Sequence, residues 1–239
     1  MKVFRIGFCV ALLSSFVLAR GPQEHRGFYF SAGVGPAYHS FSAKTSSADF
    51  RYVWNDGYSE GAYVNTTREQ EISYDAFVFP AMDFRIGKSI GNFLAIYTTF
   101  DFMFDTGNLE ASFEEYSDGA AYENSKTAET ENSYMISGGG GLGFEVYPFL
   151  NPNSVMRGFH IGESTSVNFI AVDAYGWDKE TGEGAYLASR FNVGMDWWVS
   201  ETWSLGVEFS YTYFSSIEAD FDTDPNRHLF RLMFRLTRG

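Results

Sequence analysis

Nine charged side chains interrupt long apolar stretches of this chain: Asp83, Arg85, Asp101, Glu145, Arg190, Asp196, Glu208, Arg231 and Arg235. Each falls on the polar side of an alternating apolar/polar pattern. Five acids meet four bases. Charges among apolar residues are tolerated where they are paired and hydrogen-bonded. The chemistry expected of this set is therefore mutual neutralisation, an ion-pair network filling an enclosed interior.

Other residue sets were weighed against it. His39-Ser40 places a histidine next to a serine near abundant acids, the residue types of a lipid hydrolase. That spacing has no specificity, and catalysis is not expected. Asp220-x-Asp222-x-Asp224 matches the first three ligand positions of a calcium loop. Pro225 stands where such a loop needs glycine, and Arg231 where it needs its closing glutamate. A solvated acidic loop is the favoured reading, and no resident metal or other cofactor is expected. Gly138-x-Gly140-x-x-Gly143 spells a dinucleotide fingerprint by its letters alone. The segment continues as a strand, so no helix N-terminus follows to hold phosphates. Its glycines are better read as relief of crowding in a curling sheet.

The elements that position these residues are strands. In 76–86, Ala76, Val78, Pro80, Met82, Phe84 and Ile86 alternate with Phe77, Phe79, Ala81, Asp83 and Arg85. In 93–104, Leu94, Ile96, Thr98, Phe100, Phe102 and Phe104 alternate with Phe93, Ala95, Tyr97, Thr99, Asp101 and Met103. Period two is a strand. A short glycine-rich turn, 87–92, joins the two arms. The same alternation recurs over 27–39, 134–148, 186–199, 203–213 and 230–237, and less clearly within 159–172. The expectation is eight strands. Their connections alternate long and short, as in an up-and-down barrel whose long loops all leave one rim.

Composition bounds the rest. Residues 1–19 read as a signal peptide, with basic Lys2 and Arg5 before an apolar core. The only cysteine, Cys9, lies within it, so the remainder has no thiol for disulfides, catalysis or metal binding. Residues 20–26 form a polar lead-in and 27–239 the barrel domain. Loss of Lys2 and Arg5 takes the formal charge from −13 to about −15. That balance excludes nucleic acid as a partner. The stretch 105–133 holds eight acids and one lysine. Such an acidic rim would collect divalent cations or meet a surface ligand.

A soluble secreted β-sandwich would also alternate. Three features favour the bilayer. The strands are long, and the faces carry charges of both signs on one side only. Aromatic residues also mark both ends: Trp197 and Trp203 at the turn rim, and Tyr38, Tyr134, Tyr211 and Tyr213 at the loop rim. The expected fold class is all-β, an eight-stranded antiparallel up-and-down transmembrane β-barrel.

The signal-like start, the eight alternating strands and the final strand Phe230-Arg231-Leu232-Met233-Phe234-Arg235-Leu236 resemble the small bacterial outer-membrane β-barrel proteins of the OmpA-barrel and OmpX-like families. The resemblance is architectural and spans 27–239. It implies an outer-membrane location with a periplasmic N-terminus and extracellular long loops. It implies outer-membrane lipid and the barrel-assembly machinery as partners. The ending Thr237-Arg238-Gly239 departs from the terminal aromatic usual in those families. An anchoring role of the full OmpA type, through a peptidoglycan-binding domain, is not expected. The expected role is non-catalytic, in envelope integrity or in surface interaction and adhesion. A narrow channel for small or hydrophobic solutes and a lipid-modifying enzyme are the alternatives.

Overall fold

The computed structural model describes residues 27–53, 62–117, 126–174, 182–219 and 226–239. The segment 1–26 and the triad Asp220, Asp222 and Asp224 lie outside them. Eight strands run in order: β1 Gly27–Val53, β2 Ala62–Ile90, β3 Leu94–Ser117, β4 Lys126–Val146, β5 Phe159–Ala174, β6 Gly182–Trp198, β7 Trp203–Ala219 and β8 Asn226–Arg238. Each pairs antiparallel with its neighbours in sequence, and β8 returns to β1, so the sheet is a closed barrel.

The strands continue far into the polar stretches that the sequence presents as long loops. β1 reaches Val53, and β2 begins again at Ala62. β3 runs to Ser117 and β4 starts at Lys126. The cause is physical: apolar alternation is needed only where the outer face is dry, whereas a backbone ladder persists in water with polar side chains on both faces. The extension is lopsided. β1 pairs with β8 only as far as Ser42, but with β2 up to Val53.

One strand face reverses. Ala76 and Val78 point inward and are buried, while Phe77 and Phe79 are 72% and 69% exposed. Asp83 and Arg85 nevertheless point inward. The uniform alternation expected over 76–86 therefore holds only beyond Pro80. The ladders show why, with register shifts between Gly35 and Ala37 against β1 and between Asp75 and Ala81 against β3. An extra residue in one strand shifts which face its side chains occupy.

The two faces differ as oil differs from water. Outward are Phe84, Ile96, Phe100, Leu142, Phe169, Phe191, Phe209 and Phe234, all large and exposed. Half-exposed Glu163 on β5 interrupts this belt between Phe144 and Phe191 of the flanking strands. Inward lie the buried polar residues. Glycines of β4 let the wall close up, because a Cβ at Gly141 would sit 2.0 Å from the Thr165 carbonyl oxygen of β5.

The buried ion-pair lumen as candidate functional site

Six strands, β2, β3, β4, β6, β7 and β8, deliver these charges inward by parity. Arg85 and Asp83 stand two apart on β2, and Arg231 and Arg235 four apart on β8, so each pair shares the lumen face. All nine charged residues named from the sequence point into the lumen. Asp101 is half-buried and the other eight are buried.

Nearest the turn rim, Arg85 and Arg235 lie between Glu145 and Glu208. Arg85 Nη2 donates to Glu208 Oε1 at 2.6 Å and pairs with Asp83 at 2.7 Å, while its Nη1 donates to Glu145. Arg235 donates to Glu208 through Nη1 and pairs with Glu145 through Nη2 at 3.1 Å. Tyr29 and Tyr147 donate to Glu145 at 2.8 and 3.0 Å, and Asn192 donates to Glu208 at 3.0 Å. The Arg85 guanidinium lies 5.2 Å from the Tyr97 ring centre, and that ring stacks on Tyr29. Carboxylates in so dry a place need every lone pair engaged, and these come close.

One layer toward the loops, Arg190 bridges Asp83, at 3.4 Å, to Asp101, and Arg231 Nη1 donates to Asp101 at 2.9 Å. The two layers join through Asp83. Among the described residues Asp196 meets no arginine within ion-pair distance; its neighbour is His160, whose Nδ1 lies 3.9 Å from Oδ2.

Sequence reasoning passed over several members. His160 is wholly buried, accepts at Nε2 from Arg235 Nη1 at 2.7 Å, and lies 3.4 Å from Glu208. It belongs to the least regular stretch of the sequence, though its parity with Ser164 and Asn168 marks the inner face. Nearer the loops, Arg227 Nε donates to His39 Nε2, and His39 Nδ1 lies 3.8 Å from Asp105. Arg227 also packs over the Phe214 ring at 4.1 Å. Arg227 falls in a segment that reads as loop, which is why its sequence context gave no signal.

Glu145, His160 and Glu208 bring ligand atoms within 4.8 Å of one another. Both carboxylates are already engaged by Arg85 and Arg235, so a metal ion would have to displace a guanidinium. The His39-Ser40 pair is divided by strand parity: His39 is buried in the lumen and Ser40 faces outward. On the outer face the ladder partners of Ser40 are Asp75 and His228. Tyrosines hold both, Tyr38 donating to Asp75 at 3.0 Å and the Tyr211 hydroxyl lying 2.9 Å from His228 Nδ1.

No protein-family model matches the sequence, and no curated protein matches it either. Among solved structures the chain is similar to neisserial surface protein A, NspA, at 16% identity and a TM-score of 0.41, covering 89% of this chain and 96% of that one. It is similar to the outer membrane protein OprG from Pseudomonas aeruginosa at 11% identity and a TM-score of 0.37, covering 90% and 98%. It is similar to the outer membrane protease OmpT from Escherichia coli at 8% identity and a TM-score of 0.42, covering 89% and 96%. On its own strand order and faces, the chain is a closed eight-stranded antiparallel β-barrel with an apolar outer face.

Proposed function

We propose that the chain is a bacterial outer-membrane barrel that seals its own lumen and serves the envelope as a rigid mount for its acidic loops. The observation that carries this is the arginine–carboxylate network. Arg85, Glu145, Glu208 and Arg235 are at most 1% exposed or, for Arg235, 2%, and they cross-link opposite walls. An eight-stranded barrel is just wide enough for side chains to fill. Guanidinium–carboxylate pairs fixed across the lumen would interrupt a continuous file of water for an ion to follow. The outer apolar belt supplies the complementary surface to lipid.

In this reading the N-terminus is periplasmic and the long β1–β4 extensions face outward from the cell. The acidic loops there gather divalent cations or contact a surface partner, and the barrel-assembly machinery inserts the chain. The test begins with the refolded mature protein in detergent, run on a gel with and without boiling. A compact unboiled band is expected, followed by silence in planar-bilayer recordings. A soluble β-rich protein without the shift would mean that the apolar face is an ordinary core or interface. Steady unitary conductance would favour a narrow channel.

A further inference from the structure

The turn rim carries a second arrangement of charge, on the outer wall. Lys88 of β2 pairs in register with Phe28 of β1. Arg238 of β8 pairs with Phe30 of β1 on one side and with Trp203 of β7 on the other. Lys88, Phe28 and Arg238 are exposed, and Trp203 is half-buried. Across four adjacent strands the outer face thus reads cation, aromatic, cation, aromatic. The Arg238 guanidinium lies 6.0 Å from the Phe28 ring centre and 5.9 Å from that of Trp203.

Two rings beside one guanidinium limit its motion. A planar fork of donors suits two phosphate oxygens at once. Lys88 stands two strands away and two residues along the ladder, about 12 Å at the usual strand spacing and rise, and its flexible stem brings the ammonium toward a second oxygen. The setting sharpens the contrast. The chain carries −13 overall, and its acids concentrate in the stretches at the opposite rim. Glu201, exposed in the neighbouring β6–β7 turn, offsets these cations only in part. Directly above them begins the apolar belt, at Ile86, Leu236 and Phe234.

From this row we infer that Lys88 and Arg238, framed by Phe28 and Trp203, form a site for the phosphate of an anionic phospholipid in the leaflet at the turn rim. The inference rests on the membrane-barrel reading above and adds a lipid preference to it. Acyl chains would lie along the belt while the headgroup phosphate meets the two cations.

The test is native mass spectrometry of the refolded mature protein in non-ionic detergent with equimolar phosphatidylglycerol and phosphatidylcholine. The first bound lipid is expected to be phosphatidylglycerol by about fivefold or more, the size of one basic contact at an anionic surface. Arg238→Gln and Lys88→Gln should each lower the ratio, and the double variant should bring it to unity. Arg238→Lys should keep part of it, since charge remains but the stacked fork is lost. Equal binding of the two lipids by the unaltered protein would overturn the site. Displacement of phosphatidylglycerol by millimolar inorganic phosphate would overturn its lipid source. A heat-modifiable band from every variant shows that lost selectivity is not lost folding. Absence of that band in the unaltered protein would sink the membrane reading itself, and this inference with it.

Discussion

Arg85 and Glu208 meet across the barrel, Nη2 to Oε1 at 2.6 Å, from β2 and β7, strands that share no ladder. The contact joins walls that the backbone leaves unconnected. Both side chains are at most 1% exposed. Removing one partner leaves the other charge buried without compensation, which costs about 3–5 kcal/mol. Arg85→Ala and Glu208→Ala are each expected to lose that much stability in urea titrations of the vesicle-inserted protein. Arg85→Met with Glu208→Leu should recover a good part of it, because the lumen stays filled and its charge balance is kept. A double variant as unstable as the sum of the singles would show that each charge is compensated by its other partners, Asp83 and Glu145 for Arg85 and Arg235 for Glu208, rather than by this pair.

If the same network closes the lumen, thinning it should open a path. Arg85→Ser with Arg235→Ser removes the two guanidiniums that fill the space between Glu145 and Glu208. The vacated volume is polar and rimmed by carboxylates, so water enters and cations follow. Planar-bilayer recordings are expected to change from silence to small cation-selective steps. Silence in a variant that still migrates as a folded barrel would place the seal elsewhere, in the loop-side layer around Arg227 and Phe214.

Much of this was legible in the residues because a barrel wall writes its two environments at period two. Phe100 and Asp101 are adjacent in sequence and sit on opposite faces, as Phe234 and Arg235 do. The pattern failed where its physical cause stops. Beyond the apolar belt no dry outer face enforces alternation, so the ladder from Ser42 to Val53 against β2 looked like loop. At Phe77 and Phe79 a register shift moved two aromatics outward without disturbing composition. The lumen charges could be named in advance, but their pairing could not. Which arginine meets which acid depends on closure of β8 onto β1 and on the stagger between strands, which no local pattern carries. His160 and Arg227 were missed for the same reason: their importance comes from what lies across the lumen.

The face reversal on β2 is directly measurable. Apart from Cys9 the chain has no cysteine, so a single engineered thiol reports without background in the protein lacking residues 1–19. A fluorophore attached through Phe77→Cys or Phe79→Cys should be strongly quenched by a lipid-phase quencher. The same fluorophore through Val78→Cys should react slowly and, once attached, be shielded from lipid. Equal quenching at positions 77 and 78 would mean that the alternation expected from sequence continues unbroken through this segment.

The glycines of β4 separate close approach from mere tolerance, because the run Gly138 to Gly141 faces both ways. A Cβ at Gly141 would lie 2.0 Å from the Thr165 carbonyl oxygen and 2.4 Å from the Ser166 Cα, both backbone atoms of β5. Backbone cannot step aside as a side-chain end can, so β4 and β5 would have to part. A Cβ at Gly138 meets nothing closer than the Asp101 carbonyl oxygen at 3.6 Å, an ordinary contact. Gly141→Ala is therefore expected to cost about 1–3 kcal/mol as an overpacked site, with slower insertion into vesicles. Gly138→Ala should be neutral or slightly stabilising, since a strand glycine costs entropy on folding. The two variants differ by no charge, no volume and three positions of sequence. If they unfolded at the same urea concentration, the tight β4–β5 packing would not be what those glycines provide.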